Sequence, residues 1–192
     1  MVPQLAERES ESSWAGLDAE AKRRRLLEVA TAVFAERGLN APMPAIAEAA
    51  GIGVGSLYRR YPSKEVLIAD IVTEQMHAVR VEIRAARKQP DAGAALEATL
   101  RRLVEWQAQK HLVRAALAAT SERAEVQAAV GEVSLAWQEL LDRARKDGRV
   151  RVDVTTQDLR LVFAATRAAD EVEPGSRERM LELLLDSLLV KR

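Results

Sequence analysis

Apolar residues recur at three- and four-residue spacing through most of this chain, and this helical periodicity is the feature that most constrains its fold. The first clear example follows Asp18, where apolar side chains return at helical intervals as far as Phe34. Alanine, a strong helix former, occupies 34 of the 192 positions, whereas alternating runs of β-branched residues are nearly absent. The sequence therefore predicts an all-α fold.

Glycines, prolines and capping residues divide the helical pattern into about nine segments. Asp18 is a predicted N-cap, residues 155–158 resemble a capping box, and Ser176 is a predicted cap of the last helix. Gly38, Gly51 and Gly148 are predicted helix stops. The predicted helices cover about residues 18–37, 44–50, 54–61, 63–88, 92–109, 111–119, 121–147, 156–169 and 176–190.

The organisation along the chain predicts three parts. Residues 1–17 are polar and acidic without periodicity, and we predict a disordered tail there. Residues 18–66 are predicted to form a three-helix head of the helix-turn-helix type, and residues 67–192 a helical bundle. The formal net charge is zero, yet residues 21–64 carry eight basic residues against Glu28, Glu36 and Glu48. This basic block favours contact with a polyanion, although an ordinary solvated surface explains it equally well.

Composition argues against several functional classes. The chain has no cysteine and only two histidines, so no thiolate metal site or catalytic triad pattern is present, and we predict no catalytic residue, metal site or cofactor. No apolar run approaches the ~20 residues that span a bilayer, and the first residues have no secretory core. The expectation is a cytoplasmic protein that is not an enzyme and makes no membrane contact.

The two short helices around Gly51 match a helix-turn-helix, in which the second helix enters the major groove of DNA. Ala47 and Ala50 allow close helix crossing, and Ile46, Ile52 and Leu57 are predicted to fill the space between the helices. With these turned inward, the predicted outward residues are Val54, Gly55, Ser56, Tyr58, Arg59 and Arg60. Arg59 can grip a guanine edge, while Arg60 and Lys64 can contact phosphates.

The stretch Ile46–Leu67, with residues 32–38 before it, resembles the TetR (tetracycline repressor) family of bacterial transcription regulators. About 45 residues carry this resemblance. The family commonly has a threonine four positions before Ile46 and a serine after Ile52, where this chain has Pro42 and Gly53, as in an actinobacterial branch of the family. Two phosphate-contacting hydroxyls and a side-chain cap are therefore replaced. The resemblance also implies that Gly53 and the basic run containing Arg24 and Arg25 lie along DNA. Alternatively, the basic run is an ordinary solvated face of the helix.

The resemblance implies a nine-helix homodimer that binds double-stranded DNA at a palindromic operator. Helices four to eight would enclose a pocket for a small-molecule inducer of unknown identity, and the last two helices would pair with those of a second subunit. Inducer binding would change the separation of the two heads and weaken operator binding. The predicted function is thus a ligand-responsive repressor, and the alternative is a helical protein-interaction module without DNA binding.

Two further sets of residues are predicted in the C-terminal bundle. The candidate pocket residues combine apolar and polar groups, as ligand pockets do. Each aromatic residue among them could instead be part of the core, and His111 could instead be a surface or capping residue. The candidate pocket residues are Leu103, Trp106, Gln107, His111, Trp137, Leu140, Phe163 and Arg167. The last helix has more apolar surface than one core-facing stripe needs, so burial against a second copy or in the chain's own core is expected. The candidate interface residues are Leu159, Val162, Met180, Leu181, Leu184, Leu185 and Leu188.

Overall fold

A computed structural model of the chain describes residue 14, residues 16–109 and residues 111–190, without the side chains of Gln109 and His111. These residues are all-α, as predicted, with nine helices and one isolated antiparallel β-bridge between Val150 and Leu189. The helices are α1 (Ala19–Arg37), α2 (Met43–Ala50), α3 (Val54–Arg60), α4 (Lys64–Ala86), α5 (Ala92–Gln109), α6 (His111–Thr120), α7 (Ala124–Lys146), α8 (Thr156–Val172) and α9 (Arg177–Leu188). The predicted bounds agree within about three residues.

The helix starts follow the predicted capping residues with one exception. A side-chain oxygen of Asp18 accepts a hydrogen bond from the N–H of Ala21 at 2.7 Å, and Thr155 forms a capping box with Asp158. Ser176 precedes α9, but its hydroxyl donates to the carbonyl of Ala169 at 2.8 Å and caps nothing in α9. The prediction for Ser176 is wrong because its backbone is already helical (φ −80°, ψ −6°), whereas a capping side chain needs an extended residue.

The predicted tail of residues 1–17 lies outside the described residues except at Trp14, Gly16 and Leu17. The predicted disorder of this segment stays a prediction, and Trp14 makes one contact with the folded region. Its indole N–H donates to the carbonyl of Ala50 at 2.9 Å, because this carbonyl at the end of α2 is left without an intrahelical partner.

The turn between α2 and α3 depends on Gly51. Its backbone is left-handed (φ 64°, ψ 34°), a conformation that side chains with a Cβ rarely adopt. Ala47 and Leu57 are completely buried on the two sides of this turn, whereas Ile52, predicted to fill the same space, is only half-buried. Small residues on α2 and a single leucine on α3 therefore bring the two helices together.

The chain forms two compact units, each with its own buried residues. The first contains the described residues up to Glu74 and Leu112–Val126. The second contains Gln75–His111 and the described residues from Gln127 onward. The long helices α4 and α7 contribute residues to both units. The functional boundary between residues 66 and 67 stays a prediction, since compactness does not assign function.

Leucines from α5, α7, α8 and α9 form the core of the second unit. Its largest fully buried side chains include Leu96, Leu100, Leu140, Leu141 and Leu159. In the part of the chain that the structure describes, no helix has both the length and the apolar character needed to span a membrane.

Gly93 permits a close approach in this unit, and Gly131 provides a matched control. A methyl group on Gly93 would lie 2.5 Å from Cβ of Arg149, whereas one on Gly131 would meet nothing within 4 Å. We expect Gly93→Ala to lower the free energy of unfolding by about 1–3 kcal/mol. Gly131→Ala, in the middle of α7, should raise it by about 0.5–1 kcal/mol. Urea unfolding followed by circular dichroism measures both, and equal effects of the two substitutions would contradict the steric explanation.

Candidate nucleic-acid interface

The short helix α3 has one buried side and one exposed side. Leu57 is fully buried, while every other residue of α3 is exposed, with Val54 at 39% and Tyr58 at 45%. Gly53 is the N-cap and is exposed as well. The exposed residues of α3 are the six predicted to face outward: Val54, Gly55, Ser56, Tyr58, Arg59 and Arg60. Their contact with DNA stays a prediction.

The polar side chains on α3 are held by near neighbours. Nη2 of Arg59 donates to Oγ of Ser56 at 2.7 Å, so these two residues form one polar pair on the exposed side. The guanidinium of Arg60 lies 5.9 Å from the centre of the Tyr61 ring, within the range of a cation–π contact. Gly53 supplies no side-chain cap, as its replacement of serine predicts. Two arginines and two hydroxyls thus stand on one small exposed surface.

The basic run at the start of α1 divides into different environments. Arg24 and Arg25 are exposed, and the guanidinium of Arg25 lies 5.3 Å from the centre of the Trp14 ring. Arg23 instead turns toward α4, where its side chain is only 19% exposed. Lys64, the first residue of α4, is half-buried. Of these cations, Arg24 and Arg25 are the more accessible for a phosphate.

One carboxylate on α4 joins three helical segments of the first unit. Asp70 accepts from Nε of Arg23 at 3.1 Å and from Nη2 at 2.6 Å, which is a bidentate pair. It also accepts from the hydroxyl of Tyr61, the residue that ends α3, at 2.6 Å. Nη1 of Arg23 donates in addition to Glu74 at 2.9 Å and to Glu20 at 3.0 Å. We call these five residues the Asp70 cluster.

The Asp70 cluster was not among the residues singled out from the sequence, although one signal for it exists. Asp70 interrupts the apolar run of residues 66–72, and a carboxylate in such a run needs a cationic or hydrogen-bonding partner. Sequence spacing could not identify that partner, because Arg23 lies 47 positions earlier on another helix.

The cluster changes the acidity of its members. Burial tends to raise the pKa of Asp70, but hydrogen bonds from Arg23 and Tyr61 outweigh burial and lower this pKa below its usual value. Burial raises the pKa of Tyr61 to about 12, and the hydrogen bond to Asp70 acts in the same direction. A hydrogen bond to Asp70 raises the pKa of Arg23 against the opposing effect of burial. At neutral pH the cluster therefore holds a carboxylate, a phenol and a guanidinium.

Five of the eight candidate pocket residues lie in or against the core of the second unit. Leu103, Trp137 and Leu140 are buried in it, and Trp106 and Phe163 pack against it. The Trp137 and Phe163 rings are 6.3 Å apart with an angle of 53° between their planes. Gln107 is half-buried, and the side chain of His111 lies outside the described residues. Whether any of these side chains contacts a ligand stays a prediction.

Arg167, another candidate pocket residue, forms an ion pair within its own helix. Its side chain is 36% exposed and pairs with Glu171, one helical turn later, at 3.1 Å. The charge of Arg167 is therefore compensated within one helix.

Four of the seven candidate interface residues are buried in the chain's own core, and contact with a partner stays a prediction for all seven. Leu159, Val162, Leu181 and Leu185 are at most 3% exposed within the single chain, since they belong to its own core. Met180, Leu184 and Leu188 are half-buried. The exposed apolar side chains of α8 and α9 are instead Leu161 at 57%, Val172 at 87% and Leu183 at 49%. The sequence showed an excess of apolar surface, but not which leucines face inward.

Two known protein families match this chain, one in its N-terminal part and one in its C-terminal part. Residues 26–71 match the family described as "Bacterial regulatory proteins, tetR family". Residues 91–190, more than half of the chain, match "Transcriptional regulator SbtR-like, C-terminal domain". The chain belongs to the TetR family. This confirms the resemblance seen at Ile46–Leu67, and the first match includes α2, α3 and the Asp70 carboxylate.

Similar proteins include other members of this family. The repressor KstR2 of Rhodococcus jostii is 48% identical over 52 residues, which are 27% of this chain and about a quarter (26%) of that protein's length. The regulator SCO0520 of Streptomyces coelicolor has a TM-score of 0.68 and 28% identity over 88% of this chain and 99% of its own. SmeT in complex with triclosan has a TM-score of 0.65 over 89% of this chain and 93% of its own, and its 20% identity shows the fold alone.

Asp70 provides a stability test that depends on pH. We expect Asp70→Asn to lower the free energy of unfolding at pH 7 by about 1–3 kcal/mol, because it removes the charged partner of Arg23. Since the pKa of Asp70 is lowered by folding, its contribution is present above the unfolded-state pKa and is lost as pH falls through the folded-state value. The difference between wild type and variant should therefore shrink below about pH 4. Urea titrations at pH 7 and pH 3 measure this, and an unchanged difference would contradict it.

Proposed function

We propose that this TetR-family protein is a homodimeric repressor that binds a palindromic operator in double-stranded DNA through α3. The observation that carries this proposal is the exposure of all of α3 except Leu57, with Arg59 and Arg60 on that surface. A helix of seven residues with one buried side chain contributes little to a core. Its exposed polar residues are better explained by a groove that it enters. Because this role requires chromosomal DNA, we infer a cytoplasmic location.

Each exposed residue has a chemical role in this proposal. Arg59 presents a planar fork that can pair with N7 and O6 of a guanine, which is worth about 1–3 kcal/mol of discrimination. Arg60 and Lys64 compensate phosphate charge on either side of Pro62, and Arg24 and Arg25 add charge from α1. A Cβ at Gly55 would project into open space, so the glycine allows the backbone of α3 to approach DNA closely. Ser56 and Tyr58 add hydroxyl donors.

Dimerisation follows from the small size of one such surface. A single head makes few phosphate and base contacts, whereas two heads spaced by about one DNA turn (~34 Å) read both halves of a palindrome. We assign the interface to the outer faces of α8 and α9, with Leu161, Val172 and Leu183 in place of the buried leucines. Leu161 and Val172 are eleven residues, or three turns, apart and therefore share one face of α8.

Ligand response is proposed for the second unit. SmeT binds triclosan, a small lipophilic molecule, and has the same fold as this chain. Trp106, Trp137 and Phe163 place aromatic side chains in or against the core of the second unit of this protein. A ligand that prefers the conformation with weaker DNA affinity would release the operator by an amount limited by that preference.

The DNA contact is tested with Arg60→Ala and Lys64→Ala, and with Arg84→Ala on the exposed side of α4 as a matched control. The probe is the duplex that the wild-type protein retains from a randomised pool. Each of the first two substitutions should weaken binding and reduce the slope of log affinity against log salt concentration by about one, because one phosphate contact is lost. Arg84→Ala should change neither quantity. Fluorescence anisotropy over a series of salt concentrations measures both.

The alternative, a helical module that binds another protein, makes a different prediction. If the wild-type protein enriches no duplex at moderate salt, the repressor proposal is wrong. If it enriches one but all three variants bind that duplex equally well, α3 and the start of α4 are not the DNA-binding surface.

The dimer interface is tested with a charge on its proposed centre. Leu161→Glu should convert the dimer to a monomer, because it would place an unpaired carboxylate in an apolar contact. Val81→Glu on α4 is the control, since Val81 is exposed to a similar extent (52% against 57%). Sedimentation equilibrium measures the mass of each variant. A dimeric Leu161→Glu variant would place the interface elsewhere.

A further inference from the structure

The hydrogen bonds of the Asp70 cluster connect the end of α3 to two longer helices. We propose that Asp70 is a positioning residue for DNA recognition, which fixes the orientation of α3 by holding the hydroxyl of Tyr61 against α1 and α4. This inference rests on the proposed function, because it assigns a partner to the same DNA-binding surface. Asp70 itself points into the cluster, so its effect on DNA would pass through Tyr61.

Helix α3 needs such an anchor because its own contacts are few. It has seven residues, only Leu57 is buried, and its N-cap Gly53 has no side chain with which to fix the first turn. At the other end, Tyr61 is 3% exposed, and its N–H donates to the carbonyl of Leu57 at 2.8 Å. The orientation of α3 is therefore fixed at the glycine turn, at Leu57 and at Tyr61.

The anchor at Tyr61 is rigid because one carboxylate serves two partners. Oδ2 of Asp70 accepts both the Tyr61 hydroxyl at 2.6 Å and Nε of Arg23 at 3.1 Å. Oδ1 accepts Nη2 of Arg23 at 2.6 Å, which prevents the carboxylate from rotating. Glu74 and Glu20 hold the remaining nitrogen of Arg23. The position of the Tyr61 hydroxyl is thus tied to α1 and α4 together.

The same anchor acts on a residue proposed to contact DNA. The Arg60 guanidinium lies over the ring of Tyr61, so the position of this ring influences where the charge of Arg60 stands. Asp70 also lies one turn before Glu74, the last α4 residue of the first unit. A change in α4 that moves Asp70 would act on Tyr61 and Arg23 at once.

The experiment compares two substitutions that each alter one contact in the cluster. Tyr61→Phe removes the link to α3 and keeps both the buried ring and the Arg23–Asp70 pair. Glu74→Gln weakens a contact of Arg23 and leaves Asp70 and Tyr61 unchanged. Anisotropy gives the affinity of each variant for the duplex selected by the wild-type protein and for a scrambled duplex of equal length. Circular dichroism at the same temperature reports that each protein is folded.

Tyr61→Phe should lower the affinity for the selected duplex by about tenfold, which corresponds to about 1.4 kcal/mol. Its affinity for the scrambled duplex should change by less than twofold, because phosphate contacts tolerate a small rotation of α3 and base contacts do not. Glu74→Gln should leave the ratio of the two affinities at its wild-type value. Asp70→Asn, which disturbs both Arg23 and Tyr61, should reduce the ratio at least as much as Tyr61→Phe.

A cluster that only stabilises the fold gives other results. The inference is overturned if Tyr61→Phe keeps the wild-type ratio while its midpoint of unfolding falls, or if Glu74→Gln reduces the ratio equally. It is also overturned if neither Tyr61→Phe nor Asp70→Asn folds, since the cluster is then a requirement of folding. Failure of the wild-type protein to select any duplex would instead contradict the proposed function.

Discussion

Close contact between α2 and α3 is the constraint on which the proposed DNA-binding surface depends. The two helices approach because Ala47 is small and completely buried and because Gly51 adopts a left-handed backbone between them. Leu57 fills the contact from the other side and is the only buried residue of α3. The remainder of α3 is exposed as a consequence, which leaves Arg59 and Arg60 accessible. A bulkier contact would change the orientation of that surface.

Charge in the first unit is organised in two ways that the sequence presents as one basic block. Arg24 and Arg25 stay exposed, while Arg23 enters a bidentate pair with Asp70 and contacts two further carboxylates. The charge of Arg23 is therefore compensated by carboxylates within the fold and contributes less to contact with a polyanion. Neighbouring residues of one helix thus have different physical roles, because a rotation of 100° per residue directs one toward α4 and the next toward solvent.

The apolar residues of α8 and α9 are divided between buried and exposed positions. Leu181 and Leu185 of α9 are buried in the chain's own core, while Leu183 between them is about half exposed. On α8, Leu159 and Val162 are buried and Leu161 is exposed. Each helix therefore has an inner apolar face that stabilises the unit and at least one large apolar side chain exposed on another face. This division also leaves Arg167 in contact with solvent and paired with Glu171.

The sequence alone determined the all-α class, the bounds of the described helices to within about three residues, the glycine turn and the exposed residues of α3. These depend on local features: helical spacing of apolar residues, capping side chains at Asp18 and Thr155, and backbone freedom at Gly51. Only the tertiary structure decided that Arg23 pairs with Asp70, that Ser176 caps nothing, and which leucines of α8 and α9 face inward. The reason is that these outcomes depend on the rotation and contact of helices far apart in the chain, and a periodic pattern does not specify the partner of each face.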